Sequence, residues 1–304
     1  MLKNKDNNYE NYAYCIKEHF NKNKSSICLI TKDSSESKYL SNELSLMLDK
    51  DQIVLFPEND ILPYDHFSIP ERITKNRFKI INNESNNKHI LISSIKNIFE
   101  KYAEKSFYKS LVDFSINSHI SIDEIVEIVE SLNYQRRNNV EKINEYSMRG
   151  GIIDIFTPIY KNPLRIEIFD DSIESVRFFD VESQLSVENI SSFSISNGNN
   201  VSLDQKTISL FVEKWRDYFM DKDERFCSLF QKIKNHQLPE GFEIYFPFFF
   251  NKTSSFFDVF KNYEYFKIND LTDEINKFHE LIEERYQDGY KDDDRPLLKP
   301  SDLF

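Results

Sequence analysis

The first ninety residues alternate short apolar segments with amphipathic segments of helical period, and this rhythm restricts the fold more than any other feature of the sequence. Three segments have the length and apolar content of strands buried on both faces: Ser26–Ile30, Ile53–Phe56 and His89–Ile92. Helices are predicted before and between them, at Tyr9–Phe20, from a cap at Ser34 or Ser35 to Leu48, and at Glu71–Asn82. The alternation predicts an α/β fold with a doubly wound parallel sheet.

The placement of glycine excludes the common nucleotide-binding loops. The 304-residue chain has five glycines, Gly150, Gly151, Gly198, Gly241 and Gly289, and none precedes position 150. Neither G-x-x-x-x-G-K-[ST] nor G-x-G-x-x-G fits these positions, and G-x-S-x-G is absent. The segment Thr31–Lys38 lies where a phosphate-binding loop would follow a first strand, yet it has no glycine and carries two acids. We therefore expect no ATP site and no nucleotide cofactor.

Composition narrows the class of protein further. The 39 basic and 51 acidic residues give a net charge of −12, which disfavours binding to nucleic acid by this chain alone. The 27 Phe and 16 Tyr residues are too many for a disordered chain. No apolar run approaches the ~20 residues of a membrane span, and the first residues lack a signal segment, so a cytoplasmic location is expected. The three cysteines, Cys15, Cys28 and Cys227, are interpreted as reduced and mostly buried thiols.

The middle third changes from helical to strand periodicity. Ser121 and Glu124 form a capping box that opens an amphipathic helix through Leu132. The pattern then predicts short strands at Tyr134–Val140, Ile152–Phe156, Leu164–Phe169, Ile173–Phe179 and Ile190–Ile195. These elements predict a small β-rich α+β domain that ends at the polar tract Ser196–Asn200.

The last third is predicted to be mostly helical. Helical periods cover Leu203–Phe219, Asp223–Ile233 and Leu271–Tyr286. A dense aromatic run, Phe242–Phe250, follows a turn at Pro239–Gly241.

No group of residues has the spacing of a metal site. The six histidines include no i, i+4 pair and none lies next to a cysteine. Asp170 and Asp171 fall between two strands, so a hairpin turn explains them. The triplet Asp292–Asp294 is interpreted as a solvated loop. We expect no metal and no cofactor.

One strand departs from the ordinary pattern. In Leu164–Phe169, alternation places three apolar side chains on the core face and Arg165, Glu167 and Phe169 on the other face. An aromatic ring beside an arginine on a polar face is typical of a protein-interaction hot spot. The alternative is that Phe169 packs under the adjacent turn or covers a neighbouring element. Arg149, just before Gly150 and Gly151, either joins this surface or solvates a turn.

Several segments, taken in order, resemble one known family. They match the "FP…(D/E)-x-L-P-Y-(D/E)" and "Y-x-x-R-G-x-x-(I/L)-D-(I/L)-F" signatures of bacterial transcription-repair-coupling factors (Mfd) and the sequence around them. The segments are Phe56–Asp65, Tyr146–Phe156, Arg165–Asp180, Ser183–Gln184, Leu238–Gly241 and Arg295–Leu298. Leu185 replaces the arginine usual in this family after Ser183–Gln184. The resemblance spans essentially the whole chain.

The resemblance implies a UvrB-like module of three parts. Domain 1a, residues 1–106, would be a degenerate RecA-like domain of the P-loop NTPase type. Domain 2, residues 107–197, would be an inserted β-rich α+β domain that binds UvrA. Domain 1b, residues 198–304, would be a mostly helical returning subdomain, incomplete here.

The family also implies the partner and the residues that contact it. UvrA would be recruited through Arg149, Arg165 and Phe169, in nucleotide excision repair coupled to transcription. Binding to RNA polymerase and ATP-driven translocation on double-stranded DNA would belong to domains beyond Phe304, so no ATPase is expected of this chain. The alternatives are an ATP-dependent DNA-repair enzyme domain like UvrB, and a scaffold domain without a partner.

Overall fold

The computed structural model describes residues 9–83, 88–108, 111–132, 134–158, 160–196, 200–289 and 294–304. Its helices are α1 (Tyr9–Lys22), α2 (Ser34–Ser45), α3 (Glu71–Asn83), α4 (Lys96–Phe99), α5 (Lys105–Tyr108), α6 (Ile122–Ser131), α7 (Gln205–Tyr218), α8 (Ser228–Lys234), α9 (Phe256–Val259), α10 (Thr272–Gly289) and α11 (Pro300–Leu303). Two 3-10 helices cover Lys50–Gln52 and Phe242–Phe249. Its strands are β1 (Ile27–Thr31), β2 (Ile53–Leu55), β3 (Ile90–Ser94), β4 (Leu111–Ser115), β5 (Gln135–Arg136), β6 (Glu145–Arg149), β7 (Ile152–Ile155), β8 (Leu164–Phe169), β9 (Ser172–Phe179), β10 (Ser186–Ile190), β11 (Ser192–Ser196) and β12 (Glu264–Lys267).

A parallel sheet organises the first third of the chain and confirms the α/β class. Its strand order is β12-β1-β3-β2, and every pair in it is parallel. The edge strand β12 comes from the last third and pairs Glu264 with Ile27. The sequence analysis did not predict β12, because its four residues are apolar only at the centre and owe their conformation to a partner more than two hundred residues away.

Helices cover both faces of this sheet, as predicted. Ile27 and Leu29 pack with buried residues of α1 and α2 on one face. Cys28 and Ile30 pack on the other face with residues of α3 and with aromatic side chains of residues 256–263. Burial raises the pKa of the Cys28 thiol well above its ordinary value, which makes it an unreactive core residue. Cys227 is buried as well, whereas Cys15 is exposed.

The middle third forms a six-stranded sheet with strand order β10-β9-β8-β7-β6-β5. Its neighbouring strands are antiparallel, except for the short parallel pair of β5 and β6. Helix α6 packs on one face of it, and the predicted capping box is present. Strands β4 and β11 form a separate antiparallel pair beside it.

Two strand predictions were wrong in extent. The strand predicted at Tyr134–Val140 is reduced to Gln135–Arg136, after which the chain turns away from the sheet. The strand predicted at Ile190–Ile195 is split at Ser191, because β10 pairs with β9 and β11 pairs with β4. Strands β4 and β6 were not predicted; among the described residues, β4 pairs with the distant β11 alone.

Two helix starts also differ from the prediction. Asp33, rather than Ser34 or Ser35, caps α2 by accepting a hydrogen bond from the backbone N–H of Glu36. Helix α8 begins at Ser228 instead of Asp223, because Asp223–Cys227 forms a turn in which Arg225 pairs with Asp223. The acids Asp292 and Asp293 and the tract Asn197–Asn199 lie outside the described residues.

Segments that were separate motifs in the sequence meet in space. Arg295 Nη1 donates a 3.0 Å hydrogen bond to the Tyr64 carbonyl, and the Tyr64 hydroxyl donates to the Leu298 carbonyl at 2.9 Å. The Gly241 N–H donates to Ser68 Oγ at 3.0 Å. The first and last thirds are thus joined by specific polar contacts, while the boundaries predicted near residues 106 and 197 stay predictions. Within the described residues, no helix has the length and apolar content needed to cross a membrane.

Candidate partner-binding face

The six-stranded sheet has an inner face under α6 and an opposite face, here called the outer face. Ile153, Ile155, Leu164 and Ile166 point inward and form one core with Ile125 and Val129 of α6. Because side chains alternate along a strand, Asp154 of β7 and Arg165 and Glu167 of β8 lie on the outer face. The alternation predicted for β8 is confirmed by the burial of its residues.

Phe169 lies at the end of β8 with 69% of its surface exposed. A β-bulge on β9 shifts its pairing with β8: Glu167 pairs with Ser175, the next residue Ile168 pairs with Ile173, and Glu174 is the extra residue. The bulge is on β9, so the side chains of β8 alternate between the two faces without interruption. Asp170 and Asp171 follow with φ values of 51° and 54°, the conformation of a tight two-residue hairpin turn. The turn prediction for these acids is confirmed, and the ring does not pack beneath the turn.

Arg149 lies at the end of β6, in the hairpin that Gly150 and Gly151 form with β7. Gly150 has a φ of +60°, which a glycine adopts readily. A Cβ atom on Gly151 would lie 2.7 Å from the Ile168 carbonyl oxygen, so this hairpin approaches β8 at a distance that only glycine permits. The exposed Arg149 side chain donates from Nη2 to the Asn138 carbonyl and to Asn139 Oδ1.

Arg165 is held by several groups at once. Its Nε donates to Asp154 Oδ1 at 2.7 Å and its Nη2 donates to Asp154 Oδ2 at 2.9 Å. Its Nη1 donates to the Gln184 carbonyl at 3.3 Å, and the guanidinium carbon lies 4.4 Å from the centre of the Phe179 ring. The hydrogen bonds to Asp154 are the largest influence that raises the pKa of Arg165, so its charge is permanent.

A second ion pair lies next to the first on the outer face. Arg177 of β9 is directly opposite Arg165 in the ladder, and its Nη2 donates to Glu167 Oε1 at 2.6 Å. Ser175 Oγ donates to Glu167 Oε2 at 2.6 Å. The hydrogen bonds from Arg177 and then from Ser175 hold the pKa of Glu167 below its ordinary value. Each arginine has its own carboxylate, which offsets the repulsion between two like charges facing each other.

The ladder brings the three predicted residues onto one patch. Arg149 pairs with Ile152, which pairs with Glu167, so Arg149 is two strands from Glu167, about 10 Å. Phe169 is two residues beyond Glu167, and Arg165 is four residues from Phe169, or about 13 Å along the strand. A standard protein interface, of about 800 Å² on each partner, is large enough to include all three residues.

The sequence analysis did not identify Asp154 and Arg177 as parts of this face. Asp154 carries a detectable signal, since it is the one charged residue in the strand Ile152–Ile155. Its pairing with Arg165 depends on the register between β7 and β8, which the sequence alone does not fix.

Other parts of the described chain offer no stronger site. No group of three or more potential metal ligands is found among the described residues. A cavity of about 370 Å³ lies where residues 58–65 meet α3 and the last third, with Arg77 and Glu100 in its lining. That cavity is separate from the outer face.

One comparison matches a protein family to the middle of this chain, and another finds relatives that match nearly all of it. Residues 112–200 match the family model of the UvrB interaction domain. The transcription-repair-coupling factor of Haemophilus influenzae is 27% identical over 295 residues, covering 96% of this chain and 26% of the relative. That of Escherichia coli is 27% identical over 282 residues, covering 91% and 24%, and that of Staphylococcus aureus is 26% identical over 201 residues, covering 66% and 17%.

The chain spans about a quarter of the length of the curated relatives that it matches most fully. The family model covers the six-stranded sheet together with α6, and therefore includes the outer face. Residues 112–200 thus resemble the UvrB interaction domain, in a chain that is similar along nearly its whole length to the transcription-repair-coupling factors.

Proposed function

We propose that this chain recruits UvrA in transcription-coupled nucleotide excision repair, through the outer face of its UvrB interaction domain. The observation that carries the proposal is the 69% exposure of Phe169 on the same patch as Arg149 and Arg165. The family model for residues 112–200 and the names of the relatives support the role in repair.

Each of the three residues has a distinct part in the proposed contact. The exposed Phe169 ring is the apolar anchor that enters a pocket of the partner. Arg149 and Arg165 supply charge-assisted hydrogen bonds to carboxylates or carbonyl oxygens of UvrA. The chain has a net charge of −12 and Arg165 is already paired with Asp154, so the proposed contact depends on hydrogen bonds to specific acceptors and not on a positively charged patch.

We propose further that the chain binds UvrA without hydrolysing ATP. At the start of α2, where a phosphate would meet the helix, the chain's own carboxylates take the backbone N–H groups. Asp33 Oδ1 accepts from Glu36 N–H at 2.8 Å, and Glu36 Oε2 accepts from Lys32 N–H at 2.7 Å. Two carboxylates therefore lie at the start of this helix, where they would repel a triphosphate. We assign no contact with RNA polymerase or double-stranded DNA to these 304 residues.

The test is a titration of the purified chain with UvrA, beside a Phe169→Ala variant. Loss of an interface anchor typically costs ~2 kcal/mol, or about a thirtyfold weaker affinity. Phe226→Ala is the matched control, since Phe226 is also 69% exposed but lies outside residues 112–200. Circular dichroism establishes that all three proteins are folded.

A second comparison tests the arginines. Arg149→Ala is expected to weaken UvrA binding, whereas Arg225→Ala is expected to leave it unchanged, because the exposed Arg225 pairs with its neighbour Asp223 and lies outside residues 112–200. Folded parent protein that fails to bind UvrA overturns the proposal and favours a scaffold domain. Equal effects of the variants and their controls would place the contact elsewhere on the chain.

A further inference from the structure

Asp154 is the most buried charged group of the outer face. Its side chain is 9% exposed and that of Arg165 is 19% exposed, and the two form a bidentate pair through both carboxylate oxygens. Because so little of Asp154 is exposed, we expect it to affect a bound partner through Arg165 and not by direct contact.

The contacts of Arg165 restrict its guanidinium on three sides. Asp154 takes one N–H from Nε and one from Nη2, the Gln184 carbonyl takes one from Nη1, and Phe179 lies against the plane of the group. A guanidinium has five N–H groups. Within the described residues, one N–H on Nη1 and one on Nη2 thus remain outside these hydrogen bonds.

We propose that Asp154 is a positioning residue for the partner: it fixes the Arg165 guanidinium so that these two N–H groups are already in place for an acceptor on UvrA. This inference rests on the proposed function. A long side chain that is already ordered loses less conformational freedom on binding, and a fixed fork suits a carboxylate or a pair of carbonyl oxygens.

A simpler effect of Asp154 predicts the opposite sign. If the carboxylate only neutralised Arg165, its removal would release a positive charge and strengthen attraction to an acidic partner, chiefly through a faster association rate. If it positions Arg165, its removal weakens binding, chiefly through a faster dissociation rate. The direction of the change and the rate constant that carries it separate the two effects.

The experiment measures association and dissociation rates of UvrA with the parent chain, Asp154→Asn, Arg165→Ala and the double variant. Asp154→Asn is expected to weaken affinity about tenfold through dissociation, and to have no further effect in the Arg165→Ala background. Glu224→Gln is the matched control, because Glu224 holds Arg216 by the same bidentate geometry, at 2.6 and 2.9 Å, outside residues 112–200.

Arg165→Lys provides a second test that leaves the Asp154 carboxylate in place. Lysine keeps the positive charge but lacks the planar fork, so it is expected to weaken UvrA binding nearly as much as alanine does. This variant keeps the inference testable if Asp154→Asn does not fold.

The outcomes distinguish this inference from the proposed function. If Phe169→Ala loses binding while Asp154→Asn binds as the parent does, or binds more tightly, the positioning role is overturned and recruitment of UvrA stands. Full binding by Arg165→Lys overturns it as well. If the folded parent chain does not bind UvrA, the proposed function falls and the positioning role falls with it.

Discussion

The Glu243 carboxylate accepts a 2.8 Å hydrogen bond from the backbone N–H of Ile69, and thereby ties the aromatic 3-10 helix of the last third to a segment of the first third. Ser68 Oγ donates to the same carboxylate at 3.0 Å. Burial raises the pKa of Glu243 from 4.5 to about 7, and these hydrogen bonds oppose the rise without cancelling it. The Glu243 carboxyl group at this contact therefore gains or loses its proton near neutral pH.

The raised pKa of Glu243 predicts that stability falls as pH rises. The folded protein holds a proton on Glu243 between its unfolded pKa of 4.5 and its folded pKa of about 7, whereas the unfolded chain does not. The contribution is therefore fully present below pH 4.5 and is lost on the way to pH 7. At about 1.4 kcal/mol per pH unit, the loss amounts to ~3 kcal/mol.

Urea denaturation of the parent chain and of Glu243→Gln, at several pH values, checks this prediction. Glutamine has nearly the same shape and does not titrate, so the other ionisable groups cancel in the comparison. Relative to the parent, Glu243→Gln should gain free energy of unfolding between pH 5 and 8. A constant difference across this range would contradict the assignment.

The buried pair of Arg77 and Glu100 gives a prediction for stability alone. Arg77 Nη2 donates to Glu100 Oε2 and, at 2.8 Å, to the Tyr102 hydroxyl, and its side chain is only 7% exposed. Arg77→Ala leaves the Glu100 carboxylate buried without its cation, which should cost ~3–5 kcal/mol. Denaturant unfolding measures this loss, and Arg225→Ala, at an exposed pair, should change stability little.

The hairpin turn at Asp170 and Asp171 predicts a gain in stability. Both residues have positive φ, at 51° and 54°, which is unfavourable for an aspartate and readily adopted by asparagine followed by glycine. Asp170→Asn with Asp171→Gly should raise the free energy of unfolding by ~1 kcal/mol. Thermal unfolding measures the gain, and a Ser172→Gly variant in the adjoining strand should lose stability instead.

The sequence was sufficient to predict features that depend on local pattern. The parallel strands of the first third, the capping box at Ser121 and Glu124, and the alternation of β8 are visible in short windows, and the structure confirms them. The exposure of Phe169 was one of two open alternatives. The structure favours exposure, because the extra residue of the ladder is Glu174 on β9 and leaves β8 regular.

Features that depend on distant pairing were not predictable in the same way. β12 becomes a strand because β1 offers a parallel edge, and Asp154 meets Arg165 because β7 and β8 pair in one particular register. A shift of one residue would move Asp154 to the core face. Such contacts decide which charges are buried, and they lie beyond what periodicity in a single segment determines.

The start of α2 gives the last prediction, that ATP with magnesium does not stabilise this chain. Glu36 is 5% exposed, and besides the Lys32 N–H its carboxylate accepts from Asn269 Nδ2 at 2.9 Å, so the space at the helix start is filled by the chain's own acid. A ligand at one hundred times its dissociation constant would add ~2.7 kcal/mol of stability, a rise of several degrees in Tm. We expect no rise in Tm at millimolar ATP.

Asp33→Ala, which removes the cap of α2, should itself lower the free energy of unfolding by ~1 kcal/mol and should not create nucleotide binding. A reproducible rise in the Tm of the parent chain with ATP would instead support the hypothesis of an ATP-dependent enzyme domain, because a ligand raises Tm by binding the folded chain in preference to the unfolded chain.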